Sequence, residues 1–219
     1  MLKFRFEHLV PPIRRVLCLG AHCDDLEIGC GGTVLTLAAG PNPPEFTWMI
    51  FSSDATREAE ALRSAETFLR RAVSSQVIIK KFRDGFFPYE GGLVKEVFED
   101  LKGQLSPPDL VLTHYRNDLH QDHRLISELT WNTFRDHLIL EYEIPKYDGD
   151  LGAPNVFVPL HEAICREKIE TILTSFKSQA QKHWFTENLF RSLLRIRGME
   201  CNADSNYAEA FYCRKLLVG

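Results

Sequence analysis

The sequence predicts an α/β domain built on a mostly parallel sheet. Short apolar runs of strand length alternate with segments of helical period through the first two thirds of the chain. The first run, Val16 to Leu19, empties through Gly20-Ala21 into His22, Asp24 and Asp25, at the end of a buried strand where open parallel sheets bind ligands. A length of 219 residues is one that a single such core can fill.

The elements follow in order. After Val16–Leu19, the glycines Gly29, Gly31 and Gly32 read as a tight turn ahead of a helix from about Thr33 to Ala39, stopped by Gly40 and Pro41-Asn42-Pro43-Pro44. Phe46 to Phe51 is a second strand. Thr56 to Ala72 is a helix, with Leu62, Ala65, Leu69 and Ala72 in one apolar stripe. Val77 to Ile79 is a third strand, Asp84-Gly85 opens a loop, and Leu93 to Leu105 is a helix ended by Pro107-Pro108. Leu110 to Thr113 is a strand and the polar stretch His114 to His123 a loop, on the same sheet edge as His22 if the two strands run parallel. Helices are predicted over 124–137, 162–176 and 186–196, and a strand over 139–144. A Pro/Gly/Asp-rich loop from Pro145 to Pro154 reads as functional or lid-like, and Phe211 to Val218 as an edge strand.

Composition narrows the function classes. Twenty-six basic against thirty acidic residues give a formal charge of −4, and no basic run is present, which argues against nucleic acid or an anionic membrane as main partner. No stretch approaches the roughly 18 apolar residues of a membrane span. Residues 1–8 carry charges in every short apolar stretch and lack a signal-peptide core, so a cytoplasmic location is the default expectation. The six cysteines contain no Cys-x-x-Cys pair and are expected to be mostly buried thiols.

Two clusters carry chemistry. The first is His22-x-Asp24-Asp25. The second runs from His114 through Asp118, His120 and Asp122 to His123. Two imidazoles and a carboxylate with a fourth position open to water make the ligand set of a catalytic zinc, and His22, Asp25 and His123 fit it. Singly, each has a plainer reading. A histidine after a strand is commonly just hydrogen-bonded, and a polar loop is commonly a solvated surface. The joint pattern is what argues for a site, because both clusters follow predicted buried strands.

These residues resemble a known family. Ala21-His22-x-Asp24-Asp25 with Gly29-x-Gly31-Gly32-Thr33, together with Asp118-x-His120-x-Asp122-His123, is similar to the LmbE/PIG-L family of zinc-dependent sugar N-deacetylases. Arg57-x-x-Glu60-Ala61, Ser178-Gln179 and Tyr207-Ala208-Glu209-Ala210-Phe211 extend the resemblance over most of the chain. The resemblance implies His22, Asp25 and His123 as zinc ligands, Asp24 as general base and His120 as general acid or oxyanion partner. It implies Asp122 holding the His120 imidazole, and Arg57 and Asp118 on the substrate side. Cys23 stands where the family usually has proline, which removes a fixed φ and sets a thiol beside the ligands.

The chemistry is coherent without the family. Zinc acidifies bound water and polarises an amide oxygen, a neighbouring carboxylate takes the proton, and an imidazole kept charged by an adjacent carboxylate steadies the oxyanion. The expectation is therefore a single Rossmann-like, three-layer domain over residues 1–219. It would act as a metal-dependent N-deacetylase, a hydrolase of linear amide C–N bonds, on a small-molecule N-acetylglucosamine conjugate. Zn²⁺ is the expected cofactor, with iron, cobalt or manganese as alternatives. A homo-oligomer is compatible with the resemblance, though no residue fixes a subunit count. Rival readings are a non-catalytic metal- or sugar-binding protein of the same fold, a nucleotide-binding module, and an amidase of a non-sugar N-acyl substrate. Gly29-x-Gly31-Gly32 lacks G-x-G-x-x-G spacing and a following Lys-Ser/Thr, which counts against the nucleotide reading. Trp184-Phe185 reads as core rather than as a sugar-stacking surface. Asp84 is either at the cleft or in a turn. Specificity is expected in the 145–155 loop.

Overall fold

A computed structural model of the chain describes residue 6 and residues 11–217; the rest of the segment 1–8 and the last residue of the predicted 211–218 strand lie outside it. The strands are β1 (Arg15–Gly20), β2 (Glu45–Ile50), β3 (Ser75–Ile79), β4 (Leu110–His114), β5 (Leu138–Tyr142), β6 (Val156–Pro159) and β7 (Ala208–Cys213). The helices are α1 (Asp25–Ala38), α2 (Ala55–Leu69), α3 (Gly91–Gln104), α4 (Gln121–Thr133), α5 (Glu162–Ser175) and α6 (Glu187–Glu200). The sheet order is β3-β2-β1-β4-β5-β7-β6. The first five strands of that order are parallel, and β7 runs antiparallel between β5 and β6.

Period-two alternation builds three layers. In β1, Val16 and Cys18 face the core shared with α1, α2, α5 and α6, whereas Leu17 and Leu19 face the core shared with α3 and α4. A strand buried on both faces reads as a continuous apolar run, as Val16 to Leu19 does. Leu17 lies opposite Val111 in parallel register. The ends of β1 and β4 therefore share one edge, at the switch point where the chain turns from β1–β3 to β4–β5.

The structure corrects three expectations. Helix α1 starts at Asp25, not near Thr33, and the glycines read as a turn lie inside it. A Cβ at Gly29 would overlap the Tyr142 ring, one at Gly32 the Leu160 side chain, and one at Gly31 would sit 2.5 Å from Phe68. Close approach to β5, to α2 and to Leu160 after β6 is their use, offsetting a helical cost of about 0.5–1 kcal/mol each. Helix α4 starts at Gln121, so Asp122 and His123 belong to its first turn rather than to a loop. The last strand is interior, because β6, hidden in sequence behind the Pro/Gly-rich loop, forms the edge beyond it.

A buried ion pair joins β7 to α1. Glu209 accepts from the Gly32 and Thr33 amides at 2.6 and 2.7 Å and pairs with Lys168 at 2.6 Å. Lys168 donates to the Ile28 carbonyl at 2.7 Å. On α2, Glu60 likewise accepts from the Ser178 amide and hydroxyl. The weaker motifs of the sequence thus mark internal polar braces.

Candidate metal and catalytic site

The site is assembled from the segments after β1 and β4. Asp25 opens α1 and folds back, so that its Oδ2 accepts from the His22 amide at 2.6 Å. His123 projects from the first turn of α4. The Nδ1 of His22 lies 3.2 Å from the Nε2 of His123, and Asp25 Oδ2 lies 3.3 and 3.5 Å from those nitrogens. Tetrahedral bonds of about 2.0–2.1 Å would place ligand atoms about 3.3–3.4 Å apart. The donor set therefore matches the size of a small divalent ion.

Each imidazole has carboxylate on its far nitrogen. Asp118 Oδ2 lies 2.9 Å from His123 Nδ1, and Asp122 Oδ2 and Asp84 Oδ1 lie 3.2 and 3.1 Å from His22 Nε2. Such partners take the far proton, fix the tautomer and turn the other lone pair toward a metal. His22, Asp25 and His123 are all buried. Burial first, then the neighbouring His114, lowers the His123 imidazole to about 3, which keeps it neutral. Burial opposes charge on His22, yet the Asp25 carboxylate and hydrogen bonds to Asp122, Asp25 and Asp84 hold it well above its usual value. The hydrogen bond to His22 lowers Asp84 to about 2. Groups of His22, His120 and His123, of His22, Asp84, His120 and Asp122, and of Asp25, His114 and His123 also bring donor atoms within 4.8 Å of one another. The cluster can hold a metal ion.

Beside the triad stands Asp24, whose Oδ1 accepts from Arg57 Nη2 at 2.7 Å. Among the described residues no donor reaches its Oδ2. His120 caps α4, its Nδ1 accepting from the Asp122 amide at 3.2 Å, and its ring centre lies 4.9 Å from that of His22.

These observations decide the kinship. The family described as GlcNAc-PI de-N-acetylase, PIG-L, matches residues 17–134. The chain belongs to the PIG-L family. No curated protein matches it in sequence. Among solved structures, N,N'-diacetylchitobiose deacetylase from Pyrococcus horikoshii is 20% identical and superimposes with a TM-score of 0.69, covering 96% of this chain and 87% of its own. The conserved protein TT1542 from Thermus thermophilus is 18% identical, with a TM-score of 0.74 and coverages of 93% and 96%. GalB from Pseudomonas putida, a 4-carboxy-2-hydroxymuconate hydratase, is 15% identical, with a TM-score of 0.71 and coverages of 94% and 98%. At such identities the likeness is one of fold.

In this PIG-L chain all eight residues singled out in the sequence gather at one edge, but two carboxylates are arranged differently from expectation. The Asp122 carboxylate does not hold the His120 ring. It faces His22 and accepts from the Gly85 and Phe87 amides at 2.7 and 3.1 Å, because the first turn of α4 points it toward the loop after β3. Gly85 adopts a φ of +78°, which lets that loop present its amide. Asp118 does not face the cleft; it is buried behind His123, its Oδ1 accepting from the His120 amide. Arg57 is bound to Asp24. Cys23 is fully buried, donates to the Ser52 carbonyl at 3.4 Å and is pushed by burial up to about 12, so it is a packed thiol rather than a ligand.

Two site residues went unassigned in the sequence. His114 stacks on His123 at 3.9 Å, and its Nε2 accepts from the Ala21 amide at 2.9 Å. Its place as the last residue of β4 was the available signal. Lys146, from the loop after β5, reaches Asp118 at 3.0 Å. Of the open choices, Asp84 lies at the cleft. Phe185 is buried and Trp184 half-buried against the core, as expected. No helix among the described residues is long and apolar enough to cross a membrane.

Proposed function

We propose that this PIG-L family chain is a zinc-dependent hydrolase that removes the N-acetyl group from an N-acetylglucosamine-type conjugate and releases acetate. The observation that carries this reading is the convergence of His22 Nδ1, His123 Nε2 and Asp25 Oδ2 at 3.2–3.5 Å, with Asp24 beside them but outside the set. A divalent ion held there supplies Lewis acidity and brings the pKa of water down to about 7.

The chain's own residues supply the proton traffic. Asp24, steadied through Oδ1 by Arg57, takes the proton of the attacking water on Oδ2 and returns it to the departing nitrogen as the C–N bond breaks. His120 supports the oxyanion. With Nδ1 accepting from the Asp122 amide, a neutral ring keeps its proton on Nε2, a directed donor. In the metal-free protein burial, and then the charge of His22, lower the His120 imidazole against Asp122 and the other carboxylates, and its burial persists with a metal bound, which favours this neutral donor over the imidazolium expected from sequence. Asp122 and Asp118 hold the metal-ligand rings, and Asp84 stands with its carboxylate exposed at the mouth as a contact for the substrate. A cytoplasmic setting remains the reading, supported by six free thiols, four of them buried.

A hydratase shares the fold, so the fold does not select the reaction. Asp24→Asn is expected to keep its zinc and lose turnover by about 10²–10⁴-fold. His123→Ala is expected to lose the zinc. Metal content and amine release measured on both variants check these roles; full activity in Asp24→Asn would remove the proposed base.

A further inference from the structure

Lys146 lies outside the family-matched segment and outside every motif of the sequence, yet its ammonium is buried against the site. It sits 2.6 Å from Asp150 Oδ2, 3.0 Å from Asp118 Oδ2 and 3.4 Å from the Ile144 carbonyl, so all three of its protons have acceptors. Its side chain is 9% exposed. Both carboxylates have second duties. Asp118 Oδ2 meets His123 Nδ1 at 2.9 Å while Oδ1 accepts from the His120 amide at 2.8 Å. Asp150 Oδ2 accepts from the Leu119 amide at 2.6 Å.

We propose that Lys146 is a positioning residue that locks Asp118 onto His123, and with it the Asp118–His120 turn, so that metal affinity is set in part by the loop after β5. The inference rests on the metal-site reading above. Two buried carboxylates pointing at one ammonium repel each other once it is gone, and one moves. Asp118 then no longer fixes the His123 ring, and the Asp150 hold on Leu119 loosens with it. Loss of the partner behind a ligating imidazole costs about 10–100-fold in metal affinity. Arginine at 146 keeps the charge and the donors. Methionine keeps the length and removes both.

The test is zinc affinity of the apo full-length chain, by competition with a chromophoric chelator, alongside the thermal midpoint of each apo protein. Lys146→Met is expected to weaken zinc by about 10–100-fold and Lys146→Arg to restore most of the loss. Tyr147→Ala, on the same loop but 69% exposed, is expected to bind zinc as wild type does. If Lys146→Met does not fold, Lys146→Gln carries the same test with a neutral donor. Wild-type affinity in the methionine or glutamine variant overturns the inference while leaving the metal site standing, as does an equal loss in Tyr147→Ala, which would mean general loosening of the loop. Wild-type protein that takes up no zinc, or His123→Ala that keeps it, overturns the metal-site reading and this inference together.

Discussion

Two ring nitrogens, His22 Nδ1 and His123 Nε2, face each other 3.2 Å apart with Asp25 Oδ2 beside them. Burial opposes charge on His22, but the Asp25 carboxylate and the hydrogen bonds to Asp122, Asp25 and Asp84 outweigh it and hold the imidazole well above its ordinary value, which favours a protonated ring in the metal-free protein. Metal binding needs that ring neutral, so zinc must displace the proton. The sign follows: affinity rises with pH, by about tenfold per unit while His22 is protonated in the apo protein, and falls on acidification. Titration calorimetry at pH 7 in two buffers of different ionisation enthalpy is expected to show about one proton released per zinc. No release would place the metal elsewhere or leave His22 neutral. The candidate ligand residues could be picked out because two imidazoles and a carboxylate at motif spacing are few. The roles of Asp118 and Asp122 were not, because which carboxylate lies behind which imidazole depends on the first turn of α4, and residue spacing does not specify side-chain direction.

Helix α1 positions Asp25 from one end and is held from the other side by Glu209 and Lys168, both buried. Removing one member of such a pair leaves an uncompensated charge. Lys168→Met is expected to cost about 3–5 kcal/mol in denaturant unfolding of the apo protein, and a loss under 1 kcal/mol would show that the Gly32 and Thr33 amides alone satisfy Glu209. Strands β1, β2, β4 and β5 were readable from apolar runs because they are largely buried, whereas the edge strand β3, half-exposed, shows only the short run Val77 to Ile79. The start of α1 was not. Glycine in the interior of a helix looks like a turn until its neighbours are known, and Tyr142, Phe68 and Leu160 come from distant parts of the chain. Strand β6 was missed for a related reason: four residues behind a loop acquire strand character only by pairing with β7.

Across the whole molecule, three loops converge on the edge where β1 and β4 diverge. The loop after β3 brings Asp84 and the Gly85 amide, the segment after β4 brings Asp118 and His120, and the loop after β5 brings Lys146 and Asp150. The last was expected to be functional or lid-like. It is tied down by Lys146 at one end and by Arg197 donating to the Gly152 carbonyl at 3.1 Å at the other. The parallel sheet supplies the meeting point, and the loops supply the chemistry. Amide hydrolysis at this edge is tested most directly by incubating zinc-loaded protein with N-acetylglucosamine derivatives and reading free amine and acetate together. The expected result is equal release of both, abolished by chelator and by Asp24→Asn. Stoichiometric zinc with neither product, or release that survives both the chelator and Asp24→Asn, would contradict it.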